Sequence, residues 1–213
     1  ITVRDLFYNV PARLKFMRGA RTENGHIVQL LHRYAVGYPS VRFNLTIDDH
    51  TVLQTGGSGD IAITLAELYH LPLAEMLHPI TVNVANDTLS YALHGYIGNR
   101  ALAQNSRQHV TLFINGRLVQ SRSLQDAIES GYRGLLPKGK HPLLVLHIDL
   151  PAEELDANVH PAKTEVKLIR EAEVTTAITQ AIRSVLERSP ALPQDTQFPG
   201  PTLVYQRRLP GPH

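Results

Sequence analysis

The 213-residue sequence contains no cysteine and no tryptophan, and aromatic residues make up only 6% of it. Without cysteine, disulfide bonds, thiolate nucleophiles and cysteine-based zinc sites are excluded. No apolar run approaches the ~18 residues of a membrane-spanning helix. The chain opens within a pattern and without a signal peptide, as we expect of an excised fragment. An apolar content of 43% with 19% charged residues is typical of an ordinary soluble globular protein.

The sequence also lacks the common signatures of a metal or catalytic site. Eleven histidines are present, but no two of them are three or four residues apart. His141 and His147 flank an apolar run that favours packing over metal binding. No G-x-S-x-G motif or thiol supplies a nucleophile. We therefore predict no metal site and no catalysis by this chain alone.

Charge is segregated along the sequence although the net charge is only +2. Residues 1–42 hold seven Arg or Lys and two acidic residues, whereas residues 43–99 hold six acidic residues and no Arg or Lys. Residues 100–140 again hold seven basic and two acidic residues. Two basic blocks separated by an acidic one suit two faces of a nucleic-acid site. They suit equally a solvated surface whose charges pair internally.

Hydrophobic periodicity predicts five helices. A short helix begins near Asn9 and Pro11, and a longer one runs from Thr22 to Gly37. The apolar stripe of the longer helix comprises Ile27, Leu30, Leu31, Tyr34 and Ala35. The other predicted helices span residues 60–70, 123–135 and 174–186. Ser123 and Asp126 predict a capping box at the start of the second of these, with Leu135 facing inward.

The intervening segments predict strands and an α+β fold, in which helices pack on one face of a mixed β-sheet. A continuous apolar run at residues 143–150 indicates a strand buried on both faces, and Asn115-Gly116 is a strong hairpin signal. Other predicted strands cover residues 41–47, 51–55, 80–84, 89–97 and 110–114. A domain boundary is expected near Pro39. Residues 190–213 carry six of the fourteen prolines and indicate a linker or disordered tail.

A glycine-rich stretch, Gly56–Gly59, precedes the helix predicted at Asp60. Such loops can bind phosphate at a helix N-terminus. Neither a following GKS or GKT nor G-x-G-x-x-G spacing is present, however. We interpret this stretch as a flexible connector.

The most informative segment is Asp156–Leu168, which reads DANVHPAKTEVKL. Pro161 fixes its own φ and disfavours the α conformation for His160, so a stiff turn is predicted between two strands. Lys163 lies at the tip of this turn, with no Arg or Lys among the ten residues before it. A lone ammonium on a rigid loop suits a phosphate contact. The residues alone nevertheless favour a surface lysine in a β-turn.

This segment closely resembles the hallmark loop of the MutL family of DNA mismatch repair proteins. Two other stretches resemble MutL motifs in the same order, DLFYNVPARLKF at Asp5–Phe16 and LFINGRLV at Leu112–Val119. The resemblance covers residues 1–188. Val10 stands where the family often has Thr, and Leu168 stands where it often has an aromatic residue.

The resemblance implies a domain organisation and a role in an ATPase. Residues 1–40 would be the C-terminal edge of a GHKL-type ATPase domain, residues 41–189 its transducer domain, with a ribosomal-protein-like fold, and residues 190–213 a linker. Lys163 would be an accessory catalytic residue that contacts the γ-phosphate. The loop around it would be shaped by Asp156, Asn158, His160 and Pro161. The intact protein would bind ATP and Mg²⁺. The family's general base, Mg²⁺-binding Asn and Gly-rich lid are not in this sequence, so the fragment alone is expected to bind neither and to be inactive.

The resemblance also implies partners and a location. The residues it places along a DNA groove are Arg117, Arg122, Arg133, Lys138 and Lys140. The intact protein would dimerise through its N-terminal region and work with a mismatch-recognition protein and downstream repair enzymes. It would do so in the bacterial cytoplasm, at the nucleoid and not at a membrane.

Two other classes of protein remain as alternatives. A ribosome-associated nucleic-acid-binding module would have the same fold. A type II topoisomerase transducer would also supply a lysine to ATP, although the HPAK sequence and the NVPAR stretch argue against it. The sequence upstream of Ile1 would discriminate among the three.

Overall fold

The structure is a computed structural model, and it describes residues 1–69, 76–85, 90–156 and 167–188. The helices are α1 (Pro11–Phe16), α2 (Ala20–Gly37), α3 (Ile61–Tyr69), α4 (Arg122–Gly131) and α5 (Glu171–Arg188). The strands are β1 (Asn44–Ile47), β2 (His50–Gln54), β3 (Leu77–Ala85), β4 (Ser90–Gly98), β5 (Val110–Ile114), β6 (Arg117–Val119), β7 (Leu144–Asp149), β8 (Leu155–Asp156) and β9 (Lys167–Leu168).

A five-stranded mixed sheet, with strand order β3-β4-β7-β5-β6, forms the centre of the fold. Strands β5 and β7 run parallel, and the other three neighbouring pairs run antiparallel. The predicted two-sided strand is β7. Leu144, Leu146 and Ile148 belong to the core on one face of the sheet, and Val145 belongs to the core on the other. The predicted mixed sheet and α+β class are therefore confirmed.

Helices α4 and α5 cover the first face of the sheet. Val174, Ile178 and Ile182 of α5 are buried at helical spacing, as predicted, and pack with Leu124 and Ile128 of α4. The two helices come close together because Gly131 lies against Ile182, where an added Cβ would be 2.9 Å from the isoleucine side chain. This is the helical layer that the sequence predicts.

The opposite face carries a second layer, built from α2, α3 and the β1–β2 hairpin. Its core includes Ala35 and Val36 of α2, Leu65 and Leu68 of α3, and Leu53 of β2. The hairpin turns at Asp48-Asp49, as predicted, and both residues have positive φ, 48° and 62°. The sheet is thus covered on both faces, which explains the uninterrupted apolar sequence of β7.

The buried face of α2 differs from the predicted stripe. Val28, Ala35 and Val36 are buried, whereas Ile27 and Leu30 are 46% and 47% exposed. The helix carries apolar residues on more than one side, so periodicity alone does not select the face that meets the sheet. The close approach of its C-terminal end favours the smaller side chains of Ala35 and Val36.

Three predicted helix ends also need correction. The N-cap of α1 is Val10 in place of Asn9, with Pro11 in the first turn as predicted. In α4 the capping residue is Ser121, whose Oγ accepts from Leu124 N at 3.3 Å. Ser123 instead hydrogen bonds to the side chain of Glu171. Helix α4 ends at Gly131, so Leu135 lies outside it and is 41% exposed.

Two of the predicted domain limits are not decided by these contacts. The boundary near Pro39 remains a prediction, although α2, which precedes it, packs on the same sheet as the residues that follow it. Residues 190–213 lie outside the described residues. Within the part of the chain that the structure describes, no helix is long and apolar enough to cross a membrane.

Candidate functional site

The Asn115-Gly116 turn is bonded to the segment that follows β7. Asn115 Nδ2 donates to Leu150 O at 2.8 Å, and Leu150 N donates to Asn115 Oδ1 at 2.9 Å. The backbone N–H of Asn115 also donates to Ile148 O at 3.0 Å. The asparagine side chain therefore continues the β5–β7 pairing beyond the ends of both strands. Asn suits the position because its φ is 47°, a left-handed conformation that Asn tolerates.

The same turn is bonded to the C-terminal end of α2. Tyr38, the C-cap of α2, donates its hydroxyl to Gly116 O at 2.7 Å. Its ring packs edge-on against Phe113, with centroids 6.0 Å apart. Arg117, the predicted DNA contact, follows this turn directly and is exposed. The hairpin tip is thus held between α2 and the segment after β7.

That segment leads into the loop predicted to contact nucleotide. Strands β8 and β9 pair antiparallel, Asp156 opposite Lys167 and Leu155 opposite Leu168, and so close the base of residues 157–166. Leu168 is buried, and Ile169 N donates to Glu154 O at 3.1 Å. Asp156 therefore lies at the base of the loop. The predicted residues Asn158, His160, Pro161 and Lys163 lie outside the described residues.

An ion pair also supports the base of the loop. Arg170 Nε lies 3.5 Å from Glu154 Oε1, and both side chains are partly buried. Together with the β8–β9 pairing, this contact holds the two ends of the loop segment together. Through Leu150, the base of the loop is only a few residues away from the Asn115 bonds. The sequence predicted the loop and the turn but not the hydrogen bonds between Asn115 and Leu150.

The predicted DNA-binding residues fall into two groups at opposite ends of α4. Arg117 and Arg122 lie at the hairpin and at the start of α4, and Arg133, Lys138 and Lys140 lie beyond its end. All five are exposed. Since α4 has ten residues, the groups are separated by about 15 Å along the helix axis. The length of α4 therefore separates Arg122 from the basic residues that follow Gly131.

Part of the second basic block is already paired within the protein. Arg107 makes two close contacts with Glu129, Nε to Oε1 at 2.7 Å and Nη2 to Oε2 at 2.9 Å. His141 Nδ1 lies 3.1 Å from the same carboxylate. Lys140 Nζ donates to Asn105 Oδ1 at 2.5 Å. Arg107 is therefore neutralised locally, whereas no ion pair among the described residues involves Arg117 or Arg122.

A stack of three rings crosses the sheet beneath the end of α2. His147 of β7 lies between His94 of β4 and Phe113 of β5, with centroids 4.9 Å and 4.7 Å away. Burial, and secondly the neighbouring His94, lower the pKa of His147 to about 4, against a smaller opposing effect of Asp149. His147 is therefore neutral at pH 7. No sequence motif indicates this stack, since its members come from three separate strands.

The structure does not favour a phosphate site at the glycine-rich stretch or a metal site. Gly56 N donates to Glu67 Oε2 at 3.0 Å, so a carboxylate lies at the glycine-rich stretch where a bound phosphate would be repelled. Asp60 caps α3 by accepting from Ala62 N at 2.6 Å. Among the described residues, no group of three or more His, Asp or Glu side chains could hold a metal ion.

A known protein family matches the part of the chain that contains these features. A family described as DNA mismatch repair protein, C-terminal domain, matches residues 65–187, which include β3 to β9, the Asn115-Gly116 turn and the loop. The chain belongs to the MutL family of DNA mismatch repair proteins. The resemblance seen in the three motifs is thus confirmed.

Full-length MutL proteins align with most of the chain. It is 39% identical to MutL of Shouchella clausii over 194 residues, 91% of this chain and 29% of that protein. It is 40% identical to MutL of Geobacillus kaustophilus over 193 residues, again 91% of this chain and 30% of that protein. The chain therefore spans about 30% of the length of these MutL relatives.

Solved structures show the same fold. A crystal structure of the N-terminal domain of a DNA repair protein superposes with a TM-score of 0.72 at 19% identity, covering 87% of this chain and 60% of the other. The Aquifex aeolicus MutL ATPase domain complexed with ADP gives a TM-score of 0.56 at 18% identity, covering 89% of this chain and 58% of the other. The architecture of the MutL chain therefore recurs in a domain that was solved with ADP.

Proposed function

We propose that this chain is the transducer part of a MutL-type mismatch repair ATPase, together with the end of its nucleotide domain. In the intact protein Lys163 contacts the γ-phosphate of ATP bound with Mg²⁺, and nucleotide state controls N-terminal dimerisation and DNA binding. The fragment alone lacks the rest of the nucleotide site and does not hydrolyse ATP.

The observation that carries this proposal is the two-sided attachment of the Asn115-Gly116 turn. One side is bonded to Leu150, in the segment that leads to the Lys163 loop, and the other to Tyr38 at the end of α2. A loop ordered by a phosphate is a two-state element. A contact between Lys163 and a phosphate would therefore act on the hairpin that carries Arg117 and on α2 at the same time.

The exposed apolar surface near the N-terminus supports the assignment of residues 1–40 to the edge of a larger domain. Helix α1 has no buried residue, and Leu14 and Phe16 on it are exposed. Ile27, Leu30 and Tyr34 form an exposed stripe on α2. A contiguous apolar surface of this kind is typical of an interface. The nucleotide domain of the intact protein would cover it.

The charge distribution supports sequence-independent DNA binding through phosphate contacts. Arg117 at the hairpin and Arg122 at the start of α4 are exposed, and within the described part of the chain neither takes part in an ion pair like that of Arg107. Contacts of this type release counterions, so affinity should fall steeply with salt and depend little on base sequence. The ribosome-associated and topoisomerase alternatives have no comparable support from the family match.

The test is a DNA titration of this chain with Arg117→Glu. One phosphate contact is lost and one repulsion gained, so the binding free energy should weaken by on the order of 1–2 kcal/mol and the salt slope should fall by about one. Arg188→Glu, the same charge change at the end of α5, is the matched control and should have a smaller effect. Equal effects of the two changes, or affinity that is independent of salt, would remove Arg117 from the DNA site.

A further inference from the structure

A cavity of about 80 Å³ lies between α2, α3 and the sheet, at the Val110 end of β5. Its floor is apolar and includes Leu143 and Val145. Its polar lining comes from three elements and comprises Gln29, His32, Arg33, Tyr69, Gln108 and His109. None of the described residues lining it is acidic. Within the described part of the chain, the cavity thus combines a fixed positive charge with hydrogen-bond donors and has no acidic counter-charge.

Arg33 is the source of the positive charge. Its Nε is buried and has no hydrogen-bond partner within the described ranges. Burial lowers the pKa of Arg33, and the neighbouring Tyr69 raises it by a smaller amount, yet a guanidinium stays charged at neutral pH. A buried charge is costly unless it is paired and hydrogen bonded. Since Arg33 is half-buried, an anion that pairs with the buried part of its guanidinium would reduce this cost.

Tyr69 and His109 form the opposite wall. The Tyr69 hydroxyl lies 3.1 Å from His109 Nδ1. Burial, and secondly the Arg33 charge, lower the pKa of His109, and burial raises the pKa of Tyr69, so both groups are neutral at pH 7. The site uses the tautomer in which Tyr69 donates to Nδ1 and His109 carries its hydrogen on Nε2, where it is a donor.

Two further groups order this wall. His32 packs edge-on against the Tyr69 ring, with centroids 5.9 Å apart. The side-chain amides of Gln29 and Gln108 hydrogen bond to each other and so join α2 to the start of β5. The donors therefore come from elements already bonded to one another. A ligand bound here would not have to pay for ordering them.

We infer that this cavity is a binding site for one small oxyanion, a phosphate or a carboxylate group, held by Arg33 and His109. Guanidinium groups recognise both anions through paired N–H donors. The volume accommodates two to three waters at about 30 Å³ each, which fits a single phosphate-sized group but not a nucleotide. The bound anion would join α2 to α3 and to the start of β5. The anion site is therefore at the other end of β5 and β7 from the hydrogen bonds between Asn115 and Leu150.

The test is an NMR titration of the 213-residue chain with inorganic phosphate and, separately, with acetate, at constant ionic strength maintained with chloride. The imidazole Cε1–H signal of His109, assigned with His109→Gln, should shift saturably with at least one anion, and the comparison identifies the preferred group. The shift should be abolished in Arg33→Met, which keeps the aliphatic stem. It should persist in Arg21→Met, an exposed arginine on the same helix.

Thermal unfolding supplies a second readout. Phosphate also stabilises proteins non-specifically, so the quantity of interest is the rise in Tm for the unmodified chain minus that for Arg33→Met. At roughly a hundredfold excess over Kd this difference should be on the order of 5 °C. If Arg33→Met does not fold, Tyr69→Phe replaces it and should weaken anion affinity by roughly threefold to tenfold. The proposed site would be overturned if neither anion gave a saturable shift. It would also be overturned if Arg33→Met, or Tyr69→Phe in its place, gave the same shift as the unmodified chain.

Discussion

Gly37 lies directly against the ring of Phe113. A Cβ placed on Gly37 would come within 1.9 Å of Phe113 Cζ, much closer than any real carbon contact. Phe113 is fully buried and stacks on His147, so its ring has no room to move aside. The absence of a side chain at position 37 therefore sets how closely the end of α2 approaches the sheet, and with it the position of Tyr38.

Gly37→Ala should therefore destabilise the chain although Ala is the better helix former. The overlap with Phe113 should cost about 1–3 kcal/mol of the free energy of unfolding, as overpacking of cores does. Gly25→Ala is the matched control on α2, because nothing lies within 4 Å of a Cβ there. It should stabilise by about 0.5–1 kcal/mol. Urea unfolding of both variants checks the opposite signs, and two changes of the same sign would contradict the close approach at Gly37.

Asn115→Gly should measure the two bonds between the hairpin turn and Leu150. Glycine adopts the positive φ of this position without strain, so the change removes the side-chain bonds and keeps the turn. The free energy of unfolding should fall by about 1–3 kcal/mol, the sum of two net hydrogen bonds. Asp49→Gly, at φ 62° in the β1–β2 turn, is the control and should be nearly neutral. If Asn115→Gly is also neutral, the bonds to Leu150 do not hold the turn.

His147 should make stability depend on acid pH. Its folded-state pKa of about 4 lies below the ~6.5 of an unfolded chain. The unfolded state therefore binds more protons between these values, so stability falls as pH falls through this window, by up to about 2–3 kcal/mol below pH 4. His147→Phe keeps a stacking ring and cannot titrate. Its free energy of unfolding, measured from pH 7 to pH 4, should fall less steeply, and an unchanged slope would exclude His147 as the cause.

Local signals predicted most of the elements because each is specified by neighbouring residues. Three short stretches each specify their own structure: the continuous apolar run of β7, the Asn115-Gly116 turn and the helical repeat of Val174, Ile178 and Ile182 in α5. The MutL resemblance added the functional interpretation, and the family match confirmed membership of the family. What the motifs left open was how these elements meet.

The long-range contacts had no sequence signal of comparable strength. Tyr38 hydrogen bonds to the Gly116 carbonyl, which is 78 positions away in the sequence. Asn115 hydrogen bonds to Leu150, which is 35 positions away. The stripe predicted on α2 was only partly right, since Ala35 is buried and Leu31 packs against the core, whereas Ile27 and Leu30 are exposed. The helix is apolar on more than one side, and the close approach at Gly37 selects the face that is buried. Arg33 gave no signal at all, since a single arginine in a helix normally indicates a solvated surface.

Steady-state ATP turnover of the intact protein tests the proposed contact between Lys163 and the γ-phosphate. Lys163→Ala should weaken the binding free energy of ATP by roughly 1.5–3 kcal/mol at most. Turnover should fall at least as much, because such cations stabilise the charge on the transferred phosphoryl group. Lys163→Arg should not restore it fully, since the planar guanidinium directs its donors differently.

Lys167→Ala is the internal control in the same measurement. Lys167 belongs to β9 at the base of the loop, opposite Asp156, and lies four positions from Lys163. Its replacement should leave turnover nearly unchanged. A large loss for Lys163→Ala beside a near-neutral Lys167→Ala is the result predicted here. Equal turnover in the two variants would contradict the γ-phosphate contact and leave residues 157–166 as a connecting turn.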